Sequence, residues 1–202
     1  MAVTVKAKAG KPITLANTTG ASAKPFSGEV DASWDLNKSA KDPRDPNKSF
    51  DVDISLIMRD ATGEAMALCY YDDLTPFAGV EHSPDNTTGE GDGVDEYIRF
   101  TLDGSFPYPT VDLFANINDA VNKKQNWAMI DNAKIVVEDK GNGNKIEIEP
   151  GMDLMAGGEV SMWLARFYLE NGVWKMVEVV EKFDPKYVDI QSFADTLLPT
   201  AK

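Results

Sequence analysis

The sequence predicts an all-β protein, a two-sheet β-sandwich with little helix. Short segments in which apolar and polar residues alternate recur along most of the chain, and clusters of glycine, proline and asparagine separate them. Helical periodicity is confined to two places, which favours a sandwich over a mixed α/β fold. With 202 residues, of which 43% are hydrophobic, the chain is long enough to bury one sizeable core.

Ten strand segments are predicted from this alternation. In chain order they are residues 3–7, 13–15, 50–56, 65–71, 97–102, 111–116, 135–138, 146–148, 160–169 and 173–182. The first two form either an opening hairpin or two separate short strands. The unbroken apolar run 65–71 predicts a strand buried on both faces. Asn171–Gly172 is a strong hairpin signal between the last two strands, and the turn residues 141–144 predict another hairpin.

Two helices are predicted. Residues 119–127 form a short one with Asp119 at its N-cap, and Asp184–Pro185 begins an amphipathic C-terminal helix that Pro199 ends. We therefore expect a sandwich domain over residues 1–183 and a helical extension over residues 184–202. The charged, proline-containing stretch 37–49 is expected to be a solvated loop inserted into the sandwich.

Charge and composition exclude several functions. The net charge of −13 disfavours binding to nucleic acid through a basic face. The longest apolar run is too short to span a bilayer, so direct membrane insertion is not expected. A single cysteine, Cys69, cannot form an internal disulfide, which fits a reducing, cytoplasmic location. A single histidine disfavours a zinc hydrolase.

The chemical signal is an acidic, glycine-rich loop at residues 85–96, D-N-T-T-G-E-G-D-G-V-D-E. It contains five carboxylates and three glycines but no Lys or Arg. Such carboxylates repel one another by roughly 1 kcal/mol per close pair in water, and a hard divalent cation removes that repulsion. Calcium fits best, because it accepts six to eight oxygen ligands in loose geometry. The loop lacks the glycine and the flanking helices of an EF-hand, and a solvated acidic loop remains the alternative.

Further carboxylates are predicted near this loop. Asp51 and Asp53 project from one face of the strand 50–56, with no basic residue before Arg59. Loops gather at the ends of a sandwich, so these two side chains are expected to help bind the ion. Asp31 and Asp35 could join them in the same way.

These motifs resemble those of the TerD family of tellurium-resistance and stress-response proteins. The resemblance lies in His82–Glu96 (H-S-P-D-N-T-T-G-E-G-D-G-V-D-E), the D-x-D strand at Asp51–Asp53, a turn at Ser33–Asp35, and weaker similarity over Gln125–Ala133 and Trp174–Lys175. It implies a non-enzymatic calcium-binding β-sandwich with a role in tellurite resistance or stress response. The ligands that it implies are Asp51, Asp53, Asp85, Asn86, Asp92, Asp95 and Glu96.

The chain also departs from the family pattern. Pro84 replaces the first glycine of the loop, and Val94 replaces one carboxylate, which implies that a second calcium site is weak or absent. The added loop and the C-terminal helix favour an alternative function, a structural subunit of a larger assembly such as a virion. In that case the C-terminal helix would mediate self-association or contact a protein partner.

Overall fold

The computed structural model describes residues 3–8, 10–17, 24–36, 48–91, 93–148 and 160–182. Within these ranges the chain forms twelve strands: β1 Thr4–Lys6, β2 Ile13–Asn17, β3 Phe26–Asp35, β4 Val52–Arg59, β5 Ala65–Cys69, β6 Val80–His82, β7 Glu96–Leu102, β8 Thr110–Ile117, β9 Asp131–Asp139, β10 Asn144–Ile148, β11 Ser161–Glu170 and β12 Val173–Lys182. Helix in this described part of the chain is limited to α1, Ala120–Lys123, and a 3-10 turn, Trp127–Met129.

The strands form two six-stranded sheets, as the sequence predicts. The first sheet has the order β1-β10-β9-β3-β7-β6 and the second has the order β2-β12-β11-β8-β4-β5. All pairs are antiparallel except β1 with β10. The core lies between the sheets, because alternate residues of each strand point inward; on β4 these are Val52, Ile54, Leu56 and Met58.

The opening segments are two separate short strands, which is one of the two predicted alternatives, since β1 pairs with β10 and β2 with β12. Other predicted elements need correction. The segment 65–71 is not buried on both faces: β5 is an edge strand, and Met66 is 49% exposed. Sequence reasoning missed β3 and β6. The expected turn at Ser33–Asp35 is instead the end of β3.

The helix predicted over residues 119–127 is shorter in the structure. Both Asp119 and Lys124 have a φ of 55°, and these left-handed residues confine α1 to the four residues between them. The two predicted hairpins are present, and Asn171 and Gly172 both have positive φ, as a type I′ turn requires. Residues 37–47 of the predicted loop and the predicted C-terminal helix lie outside the described residues.

The outward side of the second sheet is also buried along β4 and β8. Ile57, Leu68, Tyr70 and Phe114 form a second apolar cluster there, with Trp163 packed against it. Beside it, Asp112 is fully buried and accepts hydrogen bonds from two arginines of the neighbouring strands. This face therefore differs from the solvated outer face that an antiparallel sheet usually presents.

Candidate metal centre

The candidate site lies where β4 has no neighbouring strand on one side. β5 pairs with β4 only from Leu56 onward, so the backbone of Ile54 projects beyond the end of β5. Side chains take the place of a strand there: the Ile54 N–H donates to Glu96 Oε2 at 3.1 Å, and the Ile54 carbonyl oxygen lies 2.9 Å from His82 Nε2. The first sheet's β6 and β7 supply these two residues, so the glycine loop that joins the two strands is held against the edge of β4.

Glu96 is the most strongly perturbed carboxyl of this site. It has no exposed surface, and the Asn86 N–H donates to its Oε1 at 3.3 Å. Burial, followed by the charge of Asp53, raises the pKa of Glu96 to about 9. The site therefore favours either a proton or a cation at Glu96 over a bare carboxylate.

Three further carboxylates converge beside Glu96. Asp51, Asp53 and Asp85 each place one oxygen within 4.8 Å of the others, although they come from two distant parts of the chain. Asp51 and Asp53 are 8% and 1% exposed, whereas Asp85 is on the surface. Burial raises the pKa of Asp51, and the charge of Asp85 raises it further.

Two asparagines of the β8 end hold the aspartates in place. Asn116 Nδ2 donates to Asp53 Oδ2 at 2.9 Å, and Asn118 Nδ2 donates to Asp51 Oδ2 at 3.1 Å. The other Asp51 oxygen, Oδ1, is buried and has no hydrogen-bond partner. Lys123 Nζ lies 4.0 Å from Asp51 Oδ2, at the rim of the site. A buried carboxylate oxygen without a donor is well suited to bind a cation.

Asn86 and Asp95 organise the glycine loop. Asn86 Oδ1 accepts hydrogen bonds from the N–H groups of Thr88 and Gly89, and its Nδ2 donates to Asp95 Oδ1 at 3.1 Å. Asp95 Oδ2 accepts the N–H of Trp34 at 2.9 Å. Both side chains thus have structural hydrogen bonds, although a carboxylate oxygen retains lone pairs for a cation.

Gly89 allows the loop to pack against Trp34. A Cβ atom at Gly89 would lie 2.1 Å from Trp34 Nε1, and its φ of +65° also favours glycine. The Trp34 indole donates in turn to the carbonyl oxygen of Phe50, directly before Asp51. This contact connects the loop to the start of the D-x-D strand.

The structure thus brings together some of the residues implied by the resemblance. Asp51, Asp53, Asp85 and Glu96 share one site, and Asn86 and Asp95 lie on its Trp34 side. Asp92 lies outside the described residues. Sequence reasoning missed Asn116, Asn118 and Lys123; the N-x-N alternation at the end of β8 was the one available signal for the asparagines.

Asp31 does not join this site, contrary to the expectation for strand-end acids. It lies with Glu29 and Glu138 in a separate acidic group on the first sheet. Burial raises the pKa of Asp31 to about 6, with Glu29 adding to the effect. Arg99 and Lys140 form ion pairs with Glu29, so this group is partly neutralised by the protein itself. Asp35, in contrast, lies near the site: burial raises the pKa of Asp95, and the charge of Asp35 raises it further.

The donor set of the site consists of oxygen atoms. Carboxylates dominate it, and both ring nitrogens of the nearby His82 lie against carbonyl oxygens, at 2.7 and 2.9 Å. Oxygen-only, acidic sites suit hard cations such as Ca²⁺, whereas soft or borderline metals prefer nitrogen and sulfur. The residues present therefore fit a calcium ion.

The fold and this site define an all-β sandwich with an acidic cluster that could hold a metal at its edge. The family model for the TerD domain matches residues 4–190, and the chain belongs to that family. General stress protein 16U of Bacillus subtilis is 28% identical over 180 residues, which cover 86% of this chain and 88% of that protein. Tellurium resistance protein TerD of Serratia marcescens is 29% identical over 153 residues, which cover 72% of this chain and 75% of that protein.

A solved structure supports the fold. The crystal structure of a TerD homologue from Streptomyces coelicolor covers 80% of this chain and 92% of its own, with a TM-score of 0.63 at 22% identity. This likeness confirms the predicted TerD-type sandwich. Among the described residues, no helix is long and apolar enough to cross a membrane.

Proposed function

We propose that this protein is a non-enzymatic calcium-binding member of the TerD family with a role in tellurite resistance or stress response. The observation that supports calcium is the convergence of Asp51, Asp53 and Asp85 within 4.8 Å, beside the buried Glu96. The names of relatives, which refer to tellurium resistance and to general stress, support the biological role.

Calcium would act here as a structural ion. The acidic loop belongs to the first sheet and the D-x-D strand to the second, so an ion bound by both would hold the two sheets together at this edge. Asp51, Asp53, Asp85 and Glu96 would bind it directly. Asn116 and Asn118 orient the two aspartates, and Asn86 maintains the loop. Metal binding would also relieve the cost of burying Glu96 and Asp51 close to other carboxylates.

The test is a calcium titration of protein stripped with EDTA, followed by calorimetry. Calcium at about 100 times its dissociation constant should stabilise the fold by roughly 2.7 kcal/mol. Asp53→Asn should weaken binding at least tenfold, because it removes a charge while preserving the shape of the side chain. Glu81→Gln on the exposed side of β6 is the matched control and should leave binding unchanged. An unaltered melting temperature in millimolar calcium would contradict the proposal.

The alternative function, a subunit of a larger assembly, stays a prediction, as do partners that bind through the C-terminal region. Size-exclusion chromatography with light scattering tests it. A monodisperse monomer, with and without calcium, would argue against an assembly subunit.

A further inference from the structure

The outer face of the second sheet is buried, although a two-layer sandwich leaves such a face open to water. Ile57 on β4, Leu68 on β5 and Phe114 on β8 point away from the core between the sheets and are 0%, 2% and 5% exposed. Ser55, on the same face of β4, is 0% exposed. The side chains of one sheet cannot exclude water from their own outer face, so a further layer covers this surface.

No strand or helix that the structure describes supplies this layer. All twelve described strands belong to the two sheets. The apolar residues of α1 and the 3-10 turn, Ala120, Trp127 and Met129, pack into the core between the sheets. The second apolar cluster consists of residues on β4, β5, β8 and β11 and of Tyr70 and Tyr71 directly after β5. The covering layer is therefore to be found among the other segments of the chain.

One segment outside the described residues has the apolar pattern of a covering helix. Behind Asp184–Pro185, an apolar stripe recurs at helical spacing, formed by Tyr187, Ile190, Ala194 and Leu197. The stretches 18–23 and 37–47 contain no apolar side chain larger than alanine or proline. The stretch 149–159 contains three glycines and a proline, and its larger apolar residues lack helical spacing.

This C-terminal segment also begins at the right place. It follows β12, which ends at Lys182 opposite Met162 of β11. From β12 the strand order is β11, β8, β4 and β5, so the cluster lies about 10 to 19 Å from β12 at roughly 4.8 Å per strand. A helix over residues 185–198 is about 21 Å long. It can therefore cross the whole cluster.

We propose that residues 184–198 fold back as an amphipathic helix over the outer face of the second sheet of their own chain. The apolar stripe then packs on Ile57, Leu68 and Phe114, which buries both apolar surfaces. Because the stripe is occupied within the chain, it does not serve a protein partner or a second copy. The inference does not depend on a bound metal.

The first experiment places a spin label on the segment and observes isoleucine methyl groups by NMR. Ser192→Cys puts the label on the polar side of the stripe, and it is the one reactive thiol because Cys69 is fully buried. The label should broaden the methyl resonance of Ile57 several-fold more than that of Ile135. Ile135 is the internal control, since it lies in the first sheet with the core between it and the segment.

A mixed sample tests whether the contact forms within one chain. It combines isotope-labelled chains that lack the spin label with spin-labelled chains that lack the isotope. Any broadening of Ile57 in this sample comes from a second copy, and none is expected.

The second experiment disrupts the apolar contact. Ile190→Asp introduces a charge into the stripe, and Ser192→Asp, which adds the same charge on the polar side, is the matched control. Ile190→Asp should raise acrylamide quenching of Trp163 about twofold, because Trp163 packs against the cluster, and the control should leave it unchanged. The other three tryptophans are at most 2% exposed, so the quenching reports on Trp163.

The outcomes separate this docking from its alternatives. Equal broadening of Ile57 and Ile135 would overturn the proposal and assign the cover to another segment, such as residues 149–159. Broadening in the mixed sample would also overturn it, because the segment would then lie on a second copy and mediate self-association. Unchanged quenching in a folded Ile190→Asp would count against the stripe, and the spin-label result decides if that variant does not fold. Both experiments are performed in EDTA, so their results do not depend on the proposed calcium site.

Discussion

Replacing Glu96 with glutamine should change stability in opposite directions with and without calcium. Glu96 has no exposed surface, and its pKa in the metal-free protein is raised from 4.5 to about 9. The folded protein therefore binds this proton more tightly than the unfolded chain does. The associated stability is fully present below about pH 4.5 and is lost as the pH rises toward 9.

The magnitude follows from this pKa. Stability changes by about 1.4 kcal/mol per pH unit while only the unfolded chain is deprotonated, so the wild type loses about 3 kcal/mol between pH 4.5 and pH 7. Glutamine is neutral, as the protonated acid is, and does not titrate, although its NH2 group cannot accept one of the two backbone N–H groups that now donate to Glu96, which offsets part of the gain. In EDTA at pH 7, Glu96→Gln should therefore be more stable than the wild type by up to about 3 kcal/mol, or roughly 6–12 °C in Tm for a protein of this size.

Calcium should reverse this order. The wild type should gain roughly 4.1 kcal/mol at 1,000 times its dissociation constant, which exceeds the 3 kcal/mol advantage of the variant, whereas the variant lacks a charged ligand and should gain little. Differential scanning calorimetry at pH 5, 6, 7 and 8, in EDTA and in calcium, measures both effects, with Glu81→Gln as the exposed control. A metal-free wild type whose stability relative to the variant does not fall between pH 5 and pH 7 would refute the reasoning, since it would mean that the buried group does not change its protonation on unfolding in this range.

Three further predictions concern the loop and the sheets. Calcium binding should release protons and weaken as the pH falls from 8 to 6, because the pKa of Glu96 is raised. Calorimetric titrations in buffers of different ionisation enthalpy measure the number of protons released. A calcium affinity that does not depend on pH would contradict this prediction. Gly89→Ala should destabilise the fold by about 2–3 kcal/mol, because its Cβ would overlap the Trp34 indole. Gly10→Ala, where a similar φ of +69° faces open space, should cost about 1 kcal/mol in urea denaturation, and equal losses would rule out the packing role. Asp112→Ala should cost about 3 kcal/mol, because it leaves two part-buried arginines without their buried partner; a loss below 1 kcal/mol would argue against that ion-pair network.

Much of the fold could be predicted from local pattern. The hairpin at Asn171–Gly172 follows from two residues that tolerate positive φ, and the core face of β4 follows from strict alternation. The longest missed strand, β3, also alternates, with Glu29 and Asp31 on its outer face, but its inward positions include Gly28 and Ala32, whose small size weakens the apolar signal. The side chain of Glu29 is accommodated because Arg99 and Lys140, which are distant in the sequence, form ion pairs with it, and no local pattern reveals these contacts.

The acidic site could be predicted in part. The loop and the D-x-D strand stand out because clustered carboxylates without basic partners are costly. Asn116 and Asn118 do not stand out, because each is an ordinary polar residue until β8 pairs with β4 and places it beside an aspartate.

The sequence by itself determined the fold class, the acidic loop and the chemistry of the donors, because these depend on residue type and short-range periodicity. Only the tertiary structure decided which carboxylates meet. β5 pairs with β4 only from Leu56 onward, so the backbone of Ile54 has no strand partner on that side. His82 and Glu96 from the other sheet contact the Ile54 backbone in place of a strand. That long-range contact buries Glu96 and brings Asp85 to Asp51 and Asp53, and it depends on how the strands assemble in space.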